Sequence, residues 1–260
     1  MGKALELVTF ITTAAGASGV AGAALAGNSL TVRNGGKAIL ALSAWRTGQA
    51  VGFVRFTSPF LHDGLVGVDL VVPSGQSLLL PVGEMELQPQ DQLVVTMGGS
   101  ATAGDIEHVS VLIYYQDLPG MDAHLIGYEE YRRRVVDFHA AKNTVTTGTT
   151  GQYTGAETIV AEQDALKART EYALLGCSVQ VGVHAIRWLG PDLGNLGIGM
   201  PAIAGLYSSN TTFFVELARR TGLPTIPVIN SANKSLTYID AVTDENGVDP
   251  VVSTIYGRLK

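Results

Sequence analysis

The chain has 260 residues, 46% of them hydrophobic and only 15% charged, with a formal net charge of −6. Globular chains usually carry about 25% charged residues, so much of the surface is expected to be covered, by a large core or by other subunits. The acidic balance excludes a general nucleic-acid binder, which needs a basic footprint, and the single cysteine, Cys177, excludes an intramolecular disulfide.

The N-terminal stretch from Leu5 to Gly27 is apolar but rich in Ala, Gly and Thr, and it contains Glu6. It lacks the density of large apolar residues of a membrane-spanning helix and the charged leader of a signal peptide. It reads as a strand over 5–12 followed by an Ala/Gly loop, with ordering against a neighbouring subunit or a lipid surface as the second reading. Runs of Val, Ile, Leu and Thr between Gly, Pro, Asn and Ser clusters then predict strands over 29–33, 38–45, 51–57, 65–72, 77–82, 92–97 and 108–115. Eight short strands at this spacing point to a sandwich or jelly roll. Leu125, Tyr128, Tyr131, Val135 and Phe138 recur at helical spacing, and Glu129–Arg133 and Glu130–Arg134 are favourable i,i+4 pairs, which predicts a helix over 122–141. The uncharged NTVTTGTTGQYTG at 143–155 reads as a linker. Further strands follow over 172–181, 184–189, 196–203, 225–229, 236–242 and 251–258. A helix over 211–220 interrupts them, with Asn210 as its N-cap, Gly222 as its stop and Arg219 and Arg220 at its negative end.

The second half echoes the first. KAILAL at 37–42 returns as EYALLG at 171–176, and RFTSP at 55–59 returns as RWLGP at 187–191. Leu80-Pro81-Val82 returns as Ile226-Pro227-Val228, and Ile113-Tyr114 returns as Ile255-Tyr256. The separations are 135 residues from Ala38 to Ala173, 132 from Pro59 to Pro191, 146 from Pro81 to Pro227 and 142 from Ile113 to Ile255. A repeat this long is a duplicated domain and not a solenoid unit. The expected architecture is all-β, two tandem eight-stranded β-sandwiches with a few short helices: a first domain over 4–136, ending in the connecting helix, and a second over 143–260.

Chemistry is hard to place. The chain has no phosphate-binding loop, HExxH, CxxC or GxSxG motif, and His62, His108, His124, His139 and His184 are scattered. Cys177 lies in an apolar run and reads as a core residue. The best oxygen-ligand group for a cation is Asp240, Asp244 and Asp249 with Glu245 and Asn246. Its spacing fails the EF-hand pattern, because Ile255 stands at the twelfth position from Asp244, and Asn246-Gly247 reads as a hairpin turn. Arg132, Arg133 and Arg134 form the basic run, read either as the polar face of a helix or as a contact with another subunit or a membrane phosphate. Trp45 and Trp188 lie in apolar strands and read as core rather than a sugar platform. No catalytic residues, cofactor or metal are assigned, and no enzyme activity is expected.

Two consecutive β-rich halves, a helical junction and a helix inserted before a late strand resemble the double jelly-roll major capsid proteins of tailless icosahedral viruses. The resemblance implies a homotrimer whose six jelly rolls form a pseudo-hexagonal capsomer standing upright in an icosahedral shell. It also implies the virion as location after assembly in the host cytoplasm, other virion proteins as partners, and an internal membrane touched by the N-terminal segment. Sequence-specific nucleic-acid binding is not implied. The rival reading is a tandem β-sandwich binding module: a virion decoration, spike or carbohydrate-binding protein.

Overall fold

Aliphatic and β-branched runs become strands throughout the described residues. The computed structural model describes residues 2–12, 29–33, 36–46, 52–58, 68–72, 78–80, 88–98, 107–149, 152–153, 155–160, 166–180, 182–202, 211–243 and 247–260. They fall into two units, Val8–Ile113 and Met1–Leu7 with Tyr114–Lys260.

The first eight strands are β1 (Gly2–Thr12), β2 (Ser29–Thr31), β3 (Gly36–Arg46), β4 (Gly52–Thr57), β5 (Val68–Val72), β6 (Leu78–Leu80), β7 (Gln92–Gly98) and β8 (Glu107–Leu118). They lie in two four-stranded sheets ordered β1-β8-β3-β6 and β2-β7-β4-β5. Lettered B to I in chain order, these are the B-I-D-G and C-H-E-F sheets of a jelly roll. After β9 (Leu125–Ile126) and the helix α1 (Tyr128–Arg134), the order starts again. It runs β10 (Val135–Thr144), β11 (Glu157–Thr158), β12 (Glu171–Val179), β13 (Val183–Leu189), β14 (Ile198–Pro201), α2 (Phe213–Thr221), β15 (Ile226–Asn230), a 3₁₀ turn (Ser231–Leu236), β16 (Tyr238–Thr243) and β17 (Val251–Leu259). The sheets β10-β17-β12-β15-β9 and β11-β16-β13-β14 repeat B-I-D-G, with β9 added at one edge, and C-H-E-F. The protein is a double jelly roll.

The four sequence markers fall on equivalent strands. KAILAL and EYALLG lie in β3 and β12, both D. Arg55 and Arg187 lie in β4 and β13, both E. Leu80 ends β6 and Ile226 begins β15, both G, and Tyr114 and Tyr256 lie in β8 and β17, both I. Pro59 and Pro81 lie outside the described residues. Equivalence reaches the backbone bonds. Val32 N–H donates to Asp91 C=O at 2.7 Å and Asp91 N–H to Gln88 C=O at 3.1 Å. In the second roll, Ile159 N–H donates to Thr237 C=O at 3.1 Å and Thr237 N–H to Lys234 C=O at 3.3 Å.

The core of the second roll holds Trp188, Tyr172, Tyr256 and Phe214, all fully buried. The Cys177 thiol of β12 meets Met200 Sδ of β14 at 3.6 Å, linking the two sheets. Helix α2 ends as expected, with Gly222 in the left-handed region at φ 69°. Its N-cap is Thr212, while Asn210 lies outside the described residues. Its Phe214 ring packs edge-on against Trp188 with centroids 6.2 Å apart.

Three expectations need correction. The helix expected over 122–141 is only seven residues long, Tyr128–Arg134. Beyond it the chain pairs along β17, from Val135↔Leu259 to Thr144↔Val251 with a bulge at Val136, and the β-branched Val135 and Val136 suit a strand. The linker expected over 143–155 begins inside β10, where Asn143 is fully buried. The chain stays paired after it, with Val145 N–H on Pro250 C=O at 3.0 Å and Thr147 N–H on Val248 C=O at 3.2 Å. Strand β10, which opens the second set of strands, therefore begins at Val135. The third correction is the hairpin at Asn246-Gly247. The flanking strands β16 and β17 belong to different sheets, so the connection crosses between sheets. Gly247 still takes the left-handed conformation at φ 63°.

Strands β8 and β17 are each central in their sheets, but their burial differs. Residues 108–115 of β8 are buried without a break, whereas β17 alternates, with Tyr256 buried and Ile255 only half-buried. Ile113→Ala is expected to cost about 2–5 kcal/mol, and Ile255→Ala clearly less, measured by urea denaturation of both variants. A larger loss at Ile255 would contradict the outward placement of that side chain. Burial also pushes the Tyr256 phenol above its ordinary value near 10. An unfolded tyrosine releases its proton near pH 10 and the folded one only at higher pH. The protonated phenol thus contributes its full stability below about pH 10 and loses it as pH rises further. Tyr256→Phe is expected to show a smaller fall in Tm between about pH 9 and about pH 11 than the parent, read by thermal scans at both pH values.

Candidate functional site

Among the described residues, α1 and the strand that follows it present exposed arginines together with exposed Val136 and Phe138. Helix α1 carries Glu129 and Glu130 in its first turn and Arg132, Arg133 and Arg134 in its last, which complements the helix dipole. Its buried residue is Tyr131. A Cβ built on Gly257 of β17 would lie 3.3 Å from the Tyr131 ring, so the glycine makes room for it. Burial, with Tyr128 nearby, raises the Tyr131 phenol above its ordinary value.

The three arginines have different fates. Arg134 is half-buried: Nη1 donates to Glu130 Oε1 at 2.9 Å, and Nη2 bonds the Glu171 carboxylate of β12 and reaches Lys260 C=O at 3.4 Å. Lys260 N–H donates back to Arg134 C=O at 2.9 Å. Burial pulls the Arg134 guanidinium pKa down, but its bonds to Glu171 and Glu130 outweigh that and leave it above its ordinary value. His124 Nδ1 stands 3.9 Å from Glu171 Oε1 at the rim of this network. Arg132 and Arg133 face solvent. Arg132 lies 3.6 Å from Glu129, with both side chains more than 60% exposed, and its guanidinium sits over the Tyr128 ring at 5.8 Å. Arg133 Nε donates to Glu129 C=O at 3.3 Å.

The chain then enters β10, an edge strand. Val136 is 43% and Phe138 61% exposed, and both follow the exposed arginines closely in the chain. Asp137 accepts from Phe138 N–H at 2.8 Å and lies 3.6 Å from His139 and 3.7 Å from Arg258. Its carboxylate blunts the strand edge at that point.

The acidic group expected near 240–249 is not assembled as a cation site among the described residues. Asp240 is buried in β16 and paired with Arg187 of β13 at 3.0 Å, and its Oδ1 accepts from Ala241 N–H at 2.9 Å. Arg187 also stacks over Tyr153 at 3.9 Å. Asp249 is exposed, and Asp244 lies outside the described residues. No three His, Cys, Asp or Glu side chains converge among the described residues. His108 and His184 are buried, and His62 lies outside the described residues. The Cys177 thiol is fully buried and its pKa is pushed up by that burial, which removes the thiolate a nucleophile needs. A shallow groove of about 380 Å³ is lined by Lys142, Ser178, Val179, Gln180, Val251 and Ser253. Within it Gln180 is committed to Val251 N–H at 3.0 Å. No helix among the described residues is long and apolar enough to cross a membrane.

No protein-family model matches the sequence, and no curated protein does. Solved structures to which the chain is similar include the PBSX exported protein XepA, at 11% identity over 95% of this chain and 86% of that one, with a TM-score of 0.28. The major capsid protein P2 from Bacteriophage PM2 aligns at 10% identity over 99% and 98% of the two chains, with a TM-score of 0.26. The STIV MCP aligns at 10% identity over 98% and 96%, with a TM-score of 0.20. None of these scores reaches 0.5, and the double jelly roll stands on the strand order of this chain.

Sequence spacing singled out Arg132, Arg133 and Arg134 but could not divide them. Phe138 and Val136 were missed as surface residues, because a helical reading puts Phe138 on the inner face with Tyr131. Arg134→Gln is expected to destabilise the fold by about 1–2 kcal/mol, through loss of charge-assisted bonds, while Arg132→Gln stays within about 0.5 kcal/mol. Denaturant midpoints of the two variants check this, and equal losses would remove the distinction.

Proposed function

We propose that this chain is a structural protein of a virion, the major capsid protein of an icosahedral shell. The observation that carries the reading is the duplicated jelly-roll strand order in one polypeptide. Three copies of such a chain supply six similar sandwiches, the number needed for a tile with near-sixfold contacts, from one gene product. The low charge content fits extensive burial of surface between subunits, and the acidic balance fits a shell that does not grip nucleic acid. In this reading the protein acts as a homotrimer without catalytic turnover, in contact with neighbouring capsomers and other virion proteins. The N-terminal segment is the part that would meet an internal membrane, and assembly takes place in the host cytoplasm. The division into domains over 4–136 and 143–260 belongs to the same proposal, with the boundary drawn back to Val135 so that β10, which pairs with β17, lies in the second domain. Arg132 and Arg133 remain interface candidates. Arg134 is occupied within its own chain.

The purified protein is expected to be trimeric by size-exclusion chromatography with light scattering, and to form closed particles in electron micrographs at high concentration. A monomer at every concentration and salt condition, with no particles, would favour the sandwich-type decoration, spike or carbohydrate-binding module instead.

A further inference from the structure

The exposed surface of α1 and β10 is self-complementary. Glu129 stands one helical turn before Arg132 and Arg133, and its side chain is 72% exposed. A second copy of the same helix, laid antiparallel about a two-fold axis midway along the 129–133 row, places Glu129 of each copy opposite Arg133 of the other. Two-fold contacts use one patch twice and therefore need this internal match of charge. The patch continues into Val136 and Phe138, which the fold leaves exposed at the start of an edge strand. Exposed aromatic and arginine side chains together have the composition of a protein interface core. The contacts that compete within one chain are weak. The Glu129–Arg132 pair is a solvent-exposed bridge at 3.6 Å, and such pairs contribute about 0–1 kcal/mol. Among the described residues Arg133 is held through Nε to a backbone carbonyl alone, which leaves its terminal nitrogens for a carboxylate.

We infer that the α1–β10 surface, Glu129, Arg132, Arg133, Val136 and Phe138, docks against the same surface of a second copy of this chain across a two-fold axis. The inference rests on the shell reading in one respect: a closed shell needs contacts between tiles besides those that build a three-fold tile, and this surface supplies one. Arg134 and Glu130 take no part, because they hold α1 to its own chain.

The test is a charge exchange read by light scattering and sedimentation over a concentration series. Glu129→Arg and Arg133→Glu are each expected to weaken association by at least about tenfold, since each sets like charges face to face. The double variant E129R/R133E restores the match and is expected to recover most of the affinity. Phe138→Ser is expected to weaken association without rescue. Thermal scans confirm that each variant folds. As a geometric check, Glu129→Cys and Arg133→Cys proteins, mixed and oxidised, should form a disulfide-linked dimer, while neither forms one alone. Trimers or particles unaffected by the single reversals, or no recovery in the double variant, would overturn the inference and leave the shell reading standing. Association through this surface that stops at a dimer would support the inference and overturn the shell reading. A monomer throughout would overturn both.

Discussion

Strand β17 holds the second roll together: among the described residues of that roll it is the strand paired on both sides along nearly its whole length. On one side it meets β10, from Val135↔Leu259 to Thr144↔Val251, and on the other β12, from Tyr172↔Arg258 to Val179↔Val252. Its inward row, Val252, Thr254 and Tyr256, is fully buried. Helix α1 depends on the same strand. The last residue of the chain bonds the last residue of the helix, and Gly257 leaves the space that Tyr131 fills. The outward row, Val251, Ser253 and Ile255, is only half-buried. The first roll lacks this alternation in β8, where residues 108–115 are buried on both faces. The same strand position thus serves as a fully enclosed element in one repeat and as a wall with an accessible face in the other.

Three consecutive arginines behave differently because a helix turns by about 100° per residue. Arg134 points at β12 and the C-terminal strand, where Glu171 and a carbonyl meet it. Arg132 and Arg133 point away. A charged side chain that is partly desolvated needs a partner of good geometry, and Arg134 has two carboxylates. The exposed pair has no such requirement and remains available for contacts outside the chain. The same division of labour appears at Arg187, whose guanidinium is enclosed by Asp240 and the Tyr153 ring. The Arg187–Asp240 pair at the centre of a sheet is then a packing device, and it commits the Asp240 carboxylate within the chain.

The strands of the first roll were legible one by one, since turn residues bracket each aliphatic run. The second roll was legible from β12 onward. Its B and C strands were not. Glu129 to Arg134 carries a strong local helix signal, and Val135 and Phe138 extend its period by chance into a segment that β17 claims through long-range pairing. Periodicity is blind to that competition, and Phe138, 61% exposed, shows which side won. The short β11 has only two residues, Glu157 and Thr158, too few to leave any pattern. Asp240 and Asp249 are close in sequence but differ in burial, because the intervening chain passes from one sheet to the other. Proximity in sequence overstates proximity in space wherever a jelly roll makes such a crossing.

The duplication is better preserved in the backbone than in the side chains. In the first roll the Ser58 hydroxyl at the end of β4 donates to Asp91 Oδ2 at 2.6 Å, and both residues are buried. In the second, Gly190 and Thr237 meet at the corresponding junction, so closely that a Cβ on the glycine would lie 2.9 Å from Thr237 Oγ1. A hydrogen bond in one repeat is replaced by a close backbone approach in the other, while the carbonyl and amide bonds around them recur. The pairing has also slipped. Thr57 lies opposite Val94 while Thr31 lies opposite Gln92, whereas Leu189 and Thr158 both lie opposite Tyr238. The slip is two residues, which keeps every side chain on its own face, where a slip of one would have exchanged core and surface. Drift of that kind changes sequence and register without breaking the sandwich. The two copies differ in other ways: the second carries an inserted helix and an exposed apolar edge, while the first has an enclosed central strand.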